Sequence, residues 1–272
     1  MQDRTKLQTS RFEYKYLISE GTAEAIRRFV SAYLPPDTYT ASCPGAGYPV
    51  HSLYLDSPDL KLCQQTICGE KNRVKLRIRF YDDRPDHPVF LETKRRVYDV
   101  IVKQRVAVWR SAVPNLLSDY LATRSYLYQE SEPSDRALRD FCELARTIDA
   151  RPAAYTSYDR EAYEPADNNF CRVTFDRNIR AGEFQRLLTV ADRDQWPLVP
   201  FRGVVFELKF TDRFPDWMGI LVETFDLQRI SVPKYVECMN VVEASIARRQ
   251  QTEQRIFVDR PLHLVAPQMD VP

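Results

Sequence analysis

The stretch Arg73-Val74-Lys75-Leu76-Arg77-Ile78-Arg79-Phe80 puts a cation at every second position. Successive side chains of an extended strand point to opposite faces, so four positive charges share one face and four apolar groups the other. Arginine grips phosphate oxygens with a two-pronged fork and lysine acts as a point charge, so a row of both suits a chain of phosphates. The same rhythm recurs with acids included: Glu13-Tyr14-Lys15, Glu92-Thr93-Lys94, Lys103-Gln104-Arg105, Arg172 to Asp176, and Glu207-Leu208-Lys209. Carboxylates among cations suit Mg²⁺ or Mn²⁺, which take oxygen ligands and bridge phosphates while keeping waters.

These side chains need strands to hold them. Period-two alternation predicts eight, over 11–18, 50–56, 73–81, 88–97, 100–109, 154–163, 171–177 and 203–210. The polar joints 82–86 and 98–99 are short enough to favour antiparallel hairpins. Helices are predicted over 20–33 after the cap Ser19, 58–68 after Ser57, 113–128, 134–148, 215–226 and 233–250, with a linker at 129–135. The expected class is α+β: an eight-stranded antiparallel β tunnel with a charged interior, covered by helices. The chain reads as one domain, 1–272, with its core at about 10–250 and a C-terminal tail at 251–272.

Charged strand faces either meet solvent or line a wet lumen. The predicted charged faces carry Arg11, Lys15, Lys75, Arg77, Arg79, Lys94, Arg96, Lys103, Arg105, Arg160, Arg172 and Lys209 against Glu13, Asp56, Glu92, Asp176 and Glu207, although the whole chain has a net charge of +1. Solvated faces mix signs evenly, whereas this one is lopsided, with twelve cations against five acids. The opposite face holds Phe12, Tyr14, Leu76, Ile78, Phe80, Leu91, Val100, Val102, Phe175, Phe206 and Leu208, which amphipathic helices can cover. Eight closed strands leave room for side chains or one small ligand. The aromatics Tyr14, Phe80, Phe175 and Phe206 lie away from the cations, which counts against a nucleic-acid surface.

Other classes are excluded by what the sequence lacks. No GxxxxGK[ST] or GxGxxG occurs among seven glycines. Six cysteines form no CxxC pair, and three histidines show no zinc spacing. No run of 18 apolar residues and no apolar leader occurs, so a cytoplasmic protein without a transmembrane segment is expected.

Eight motifs in order resemble the VTC domain, a polyphosphate polymerase within the triphosphate tunnel metalloenzyme superfamily. They are Arg11-Phe-Glu-Tyr-Lys15-Tyr16, Ser52 to Ser57, Lys75 to Tyr81, Glu92-Thr-Lys94 with Lys103-Gln-Arg105, Arg151-Pro152 leading to Tyr158-Asp-Arg160, Arg172 to Asp176, Glu207-Leu-Lys209, and Ser231-Val-Pro-Lys234-Tyr235. Related tunnel enzymes begin with ExExK. Here Arg11 replaces the first acid, which fits the VTC branch. The resemblance implies that Arg77, Arg79, Lys94 and Arg160 act at the transferring phosphoryl. It implies substrate contacts from Lys15, Lys75, Lys103, Arg105, Arg172, Lys209 and Lys234. Glu207 is the implied main metal ligand, with Glu13 and Glu92 as secondary acids.

The expected reaction is a metal-dependent phosphotransfer with Mn²⁺ or Mg²⁺, moving the γ-phosphate of ATP to a growing polyphosphate chain. A tunnel triphosphatase and a non-catalytic polyanion-binding module are the alternatives. ATP and polyphosphate are the expected partners. No nucleic acid is expected, and a membrane-protein acceptor of the product stays open. Asp176 also reads as a simple salt-bridge partner of Arg172, and Tyr158 equally as core or ligand.

Overall fold

The computed structural model describes residues 8–258, apart from 44, 46, 99 and 169 and from the side chains of 8–11 and 252–258. The elements run β1 (Gln8–Ile18), α1 (Glu20–Val30), α2 (Thr38–Ser42), β2 (Tyr48–Asp56), α3 (Lys61–Ile67), β3 (Asn72–Phe80), β4 (Val89–Val97) and β5 (Val100–Val108). They continue with α4 (Val113–Asp119), α5 (Glu132–Thr147), β6 (Arg151–Tyr163), β7 (Cys171–Glu183), β8 (Val204–Thr211), α6 (Asp216–Thr224) and α7 (Lys234–Val258). The strands close into a barrel in the order β1-β5-β4-β3-β2-β6-β7-β8. Neighbours are antiparallel throughout, as the short hairpin joints predict. Closure removes the unpaired sheet edges that eight open strands would leave.

Two apolar clusters cover the outside. Leu76, Ile78, Phe80, Leu91 and Val108 pack under Leu116 of α4 and Leu138, Phe141, Cys142 and Ala145 of α5. Positions 138, 141, 142 and 145 fall on one helical stripe. Ser131 caps α5 by accepting from the Ser134 N–H. On the other side Phe175, Phe206 and Leu208 meet Ala23, Ile26 and Val30 of α1 and Met218 and Leu221 of α6. Burying each large aliphatic or aromatic side chain contributes roughly 1.5–3 kcal/mol. Val100 and Val102, expected in this outer layer, remain 40% and 38% exposed.

A third cluster lies on the charged side of the barrel wall. Tyr235, Val236, Cys238, Met239 and Val242 of α7 pack with Tyr54, Ala154, Tyr158, Ala181 and Val205. Ala154 and Tyr158 share a face with Arg160 by the two-residue period. The first half of α7 therefore fills one end of the barrel from within.

Several elements depart from the sequence expectation. The helix expected over 113–128 stops at Asp119, because Tyr120 turns left-handed (φ 52°) and lets its hydroxyl donate to the Ala150 carbonyl at 2.6 Å. Residues 132–135 of the expected linker form the first turn of α5. Helix α3 starts at Lys61 rather than 58, after a left-handed Leu60, with the Leu62 and Cys63 N–H groups donating to Asp56. Strands β6 and β7 run longer than expected and contain register shifts, near Tyr54/Leu55 against β6 and near Ser157/Asp159 against β7. Helix α2 was not expected. Helix α7 extends past 250, while 259–272 of the expected tail lie outside the described residues.

Candidate functional site

The barrel holds a cavity of about 300 Å³. Every cation singled out in the sequence for phosphate contact lines it: Lys15 from β1, Lys75, Arg77 and Arg79 from β3, Lys94 from β4, Lys103 and Arg105 from β5, Arg160 from β6, Arg172 from β7, Lys209 from β8 and Lys234 from α7. Glu13 and Glu207 line it too. The alternation thus points its charged face inward, and the apolar face meets the helices. The side chain of Arg11 is not among those described.

On the β3–β4–β5 wall one acid serves four cations. Glu92, 1% exposed, accepts from Arg77 Nε at 2.7 Å and faces Lys103 Nζ at 2.8 Å, Arg105 Nε at 3.7 Å and Arg79 Nε at 3.9 Å. Burial opposes ionisation of Glu92, but the Arg77, Arg79, Lys103 and Arg105 charges outweigh it and hold the carboxyl well below the usual range. Lys103 is the cation that yields. Burial lowers its pKa, the nearby guanidinium groups lower it further, and only Glu92 opposes this. Lys75 lies across from Lys94 in the ladder, and burial together with Lys15 and Lys94 brings its pKa down to about 7.

The β1–β7–β8 wall is closer to balance. Glu207 meets Lys209 at 2.5 Å, Lys234 at 3.0 Å, Lys15 at 3.5 Å and Arg160 at 3.8 Å. Glu13 meets Lys94 at 2.7 Å and Lys15 at 3.0 Å. Asp176 is fully buried and takes a two-pronged grip from Arg160, both contacts at 2.7 Å, as well as the ammonium of Lys234. Burial works against ionising Glu207, but the surrounding cations keep it well below the usual carboxylate range. The pKa of Lys209 falls to about 8, mainly through burial, with Glu207 opposing. Asp176 reaches Arg160 because of the register shift: Arg160 pairs with Asp176, whereas Thr156 pairs with Ala181, one residue out of step. Asp176 therefore partners Arg160 and Lys234, and not Arg172 as its sequence spacing suggested.

The expectation that aromatics avoid the charged face holds for Tyr14, Phe80, Phe175 and Phe206 but not in general. Tyr48, Tyr54, Tyr81, Phe90, Tyr158 and Tyr235 line the cavity. Tyr158, left open between core and ligand, is a lumen residue whose hydroxyl accepts from Arg79 Nη2 at 3.0 Å. Tyr54 stacks on Tyr235 with centroids 4.4 Å apart, and Tyr235 donates to Asp56 at 2.7 Å. Tyr81 and Tyr54 could have been found from the sequence, since both keep phase with the lumen residues Arg79 and Val50. Asp37 carried a fainter signal as an acidic cap before Thr38. One of its oxygens accepts from the Thr40 N–H at 2.8 Å, and the other from Arg172 at 2.9 Å and Tyr48 at 3.0 Å.

The VTC domain family model matches residues 10–243. The chain belongs to the VTC domain family. No curated protein sequence matches it. Among solved structures it is similar to a candidate adenylate cyclase from Bacillus halodurans, at 13% identity and TM-score 0.45 over 82% of this chain and 95% of the other. A candidate adenylate cyclase from Vibrio parahaemolyticus gives 13% and 0.44 over 85% and 98%. The Mimivirus capping enzyme triphosphatase gives 10% and 0.39 over 80% and 89%.

The donor set of this VTC domain bears on metal binding. No cluster of three or more His, Cys, Asp or Glu placed to hold a metal ion occurs among the described residues. Glu13 and Glu207 nevertheless converge on one positive charge, the Lys15 ammonium. Two carboxylates meeting at a cation, beside a cavity lined by cations, match the sparse protein ligation that Mg²⁺ and Mn²⁺ accept when other oxygen ligands and waters complete the shell. Glu92, the single acid among Arg77, Arg79, Lys103 and Arg105, does not share a cation with a second carboxylate as Glu13 and Glu207 do, and so lacks that setting. No helix among the described residues is long and apolar enough to cross a membrane.

Proposed function

We propose that this VTC domain is a polyphosphate polymerase that transfers the γ-phosphoryl of ATP to the end of a polyphosphate chain. The observation that carries the reading is the convergence of eleven cations from seven of the eight strands and α7 on one cavity. Crowded cations with depressed lysines such as Lys75 and Lys209 favour a polyanion that restores their charge. A terminal phosphate oxygen of the chain attacks the γ-phosphorus, the bond from that phosphorus to the β–γ bridging oxygen breaks, and ADP leaves. The transfer needs positioning and charge neutralisation more than a protein nucleophile.

In this reading Arg77, Arg79 and Arg160 hold the equatorial oxygens of the transferring group. Lys15, Lys94 and Lys234 orient the donor triphosphate and the chain end. Lys75, Lys103, Arg105, Arg172 and Lys209 line the path. Glu13 and Glu207 would hold Mg²⁺ or Mn²⁺, which would supply charge neutralisation on the phosphates. Glu92 serves as the counter-ion that keeps the basic wall folded. The whole chain is read as one tunnel domain, with α7 as part of its floor.

The test is product analysis. Purified protein with ATP and Mn²⁺ should yield chains that a polyphosphatase degrades, and Glu207→Ala should stop their formation. Orthophosphate alone would assign the same residues to a triphosphatase. Binding of tripolyphosphate without turnover under varied metal and primer would leave a polyanion-binding module.

A further inference from the structure

The end of the barrel away from α7 is built differently from the rest. Along β6, Ala154 packs against the body of α7, whereas Arg160, six residues and about 20 Å further on, meets α7 at its first residue, Lys234, through their shared partner Asp176, and pairs with Tyr48. Around Tyr48 lies a ring of aromatic groups. Tyr39 of α2 stands nearly parallel to Tyr81, with centroids 6.1 Å apart and planes 10° from parallel. It also meets Tyr48 at 5.3 Å. Tyr81 meets the Phe90 ring edge-on at 6.0 Å. The Arg105 guanidinium lies 3.6 Å from the Phe90 centroid, and Arg105 Nη2 donates to the Tyr81 hydroxyl at 3.4 Å.

This rim is held in place. Helix α2 has only five residues, yet Asp37 caps it and binds both Tyr48 and Arg172 of the barrel wall. Thr40 adds a bond from the Ala162 N–H at 2.8 Å. Tyr39 is thereby held against the cavity-lining residues Tyr48 and Tyr81 while staying 41% exposed. Arg105 Nε is buried without a hydrogen bond, its Glu92 neighbour being 3.7 Å away. The exposed Tyr39 ring parallel to Tyr81 gains nothing from phosphate, which has no π face, and the Arg105 guanidinium stacked on Phe90 offers a flat face as well as phosphate donors. They suit a planar heterocycle.

We propose that Tyr39, Tyr81 and the Arg105–Phe90 pair form a stacking site for the base of a nucleoside triphosphate, with its phosphates directed inward. The inference rests on the tunnel binding triphosphate, and it adds what distinguishes a nucleotide donor from inorganic triphosphate. Tyr81 follows Arg79 and Arg77 on one strand face at steps of about 6.6 Å. A base at the rim therefore leaves its phosphates to run along the arginines. The stacking is tolerant of base identity, because every base has a π face, and purines gain from their larger area.

Equilibrium binding of a non-hydrolysable ATP analogue and of tripolyphosphate separates the possibilities. Tyr39→Ala should weaken the ATP analogue about tenfold, the loss expected for one base–aromatic stack, and should change tripolyphosphate affinity less than about twofold on the same scale. Tyr39→Phe should bind like wild type. Equal losses for both ligands, or no loss for either, overturn the stacking site while the tunnel reading stands. Wild type that binds neither ligand overturns both. A short RNA without a 5′-triphosphate that binds as tightly as the ATP analogue, with the same dependence on Tyr39, overturns the nucleotide assignment in favour of a strand.

Discussion

The two walls of the tunnel carry similar side chains in different proportions. The β3–β4–β5 wall sets Lys75, Arg77, Arg79, Lys103 and Arg105 against the single acid Glu92, while its Lys94 reaches across to Glu13. The β1–β7–β8 wall, with its neighbours Arg160 and Lys234, sets Lys15, Arg160, Arg172, Lys209 and Lys234 against Glu13, Asp176 and Glu207, with Arg172 paired to Asp37 of the α2 cap. A wall with surplus positive charge attracts an anion, and a wall near balance can exchange an ammonium for a metal ion. The asymmetry shows why acids inside one basic tunnel need not share a role. Glu92 neutralises a neighbourhood, whereas Glu13 and Glu207 point at a shared position.

The sharpest break between the walls is in turnover. Glu207→Ala should lower the rate by about a hundredfold or more, the scale of losing a preorganised charge at the reacting group. Glu92→Gln should leave far more activity. Equal losses in steady-state assays would erase the distinction.

Stability should show the reverse contrast. Glu92→Gln leaves four neighbouring cations without their anion, and breaking such a buried pair costs about 3–5 kcal/mol. Denaturant melts should recover much of that loss when tripolyphosphate is added, since a ligand that binds only the folded state stabilises it. A variant equally unstable with and without tripolyphosphate would mean that Glu92 does not stand in for phosphate.

The pH response sharpens the comparison, because each wall carries depressed lysines, Lys75 and Lys103 on one and Lys209 on the other. Lys75 lies at about 7 and Lys209 at about 8, both below the unfolded value of about 10.4. Between the folded and unfolded values the unfolded chain binds more protons, so these two groups make the ligand-free protein more stable as pH rises from 7 toward 10. Phosphate raises both values, so binding takes up protons and affinity falls over the same rise, by up to about tenfold per unit for one fully coupled proton. Titrations in buffers of different ionisation enthalpy should show proton uptake, and Lys75→Met should remove the part nearest pH 7. Affinity that is flat from pH 7 to 9 would contradict this. The smallest effect belongs outside the barrel. Arg28→Ala breaks an exposed pair with Glu24 at 3.4 Å and should cost about 0.5 kcal/mol or less, without changing tripolyphosphate binding.

Much of this was legible before any coordinates. The strands with unbroken alternation, such as β3 and β8, were placed to within a residue or so because a single phase sorts their two faces. Strands β6 and β7 were read short. Their bulges shift the phase, so 151–153 and 178–183 no longer match the template that finds the rest. The aromatic lining was missed for a different reason. Tyr54 and Tyr81 keep the lumen phase, as does Tyr158, which the sequence leaves open between core and ligand, but a tyrosine is equally at home in a core, and only the cations draw attention to that face. Helix α4 was overextended because an apolar stretch does not announce a left-handed Tyr120.

The sequence alone determined which side chains share a face, since strand geometry imposes that on neighbours two residues apart whatever surrounds them. It therefore determined the charged lining and, by the order of its motifs, the family. Which carboxylate meets which cation was decided by tertiary structure. Ion pairing depends on cross-strand register, on a bulge that turns Asp176 toward Arg160, and on α7 carrying Lys234 back into the barrel from more than fifty residues away. Those distances through space follow from closure of the whole sheet, and no local segment contains them.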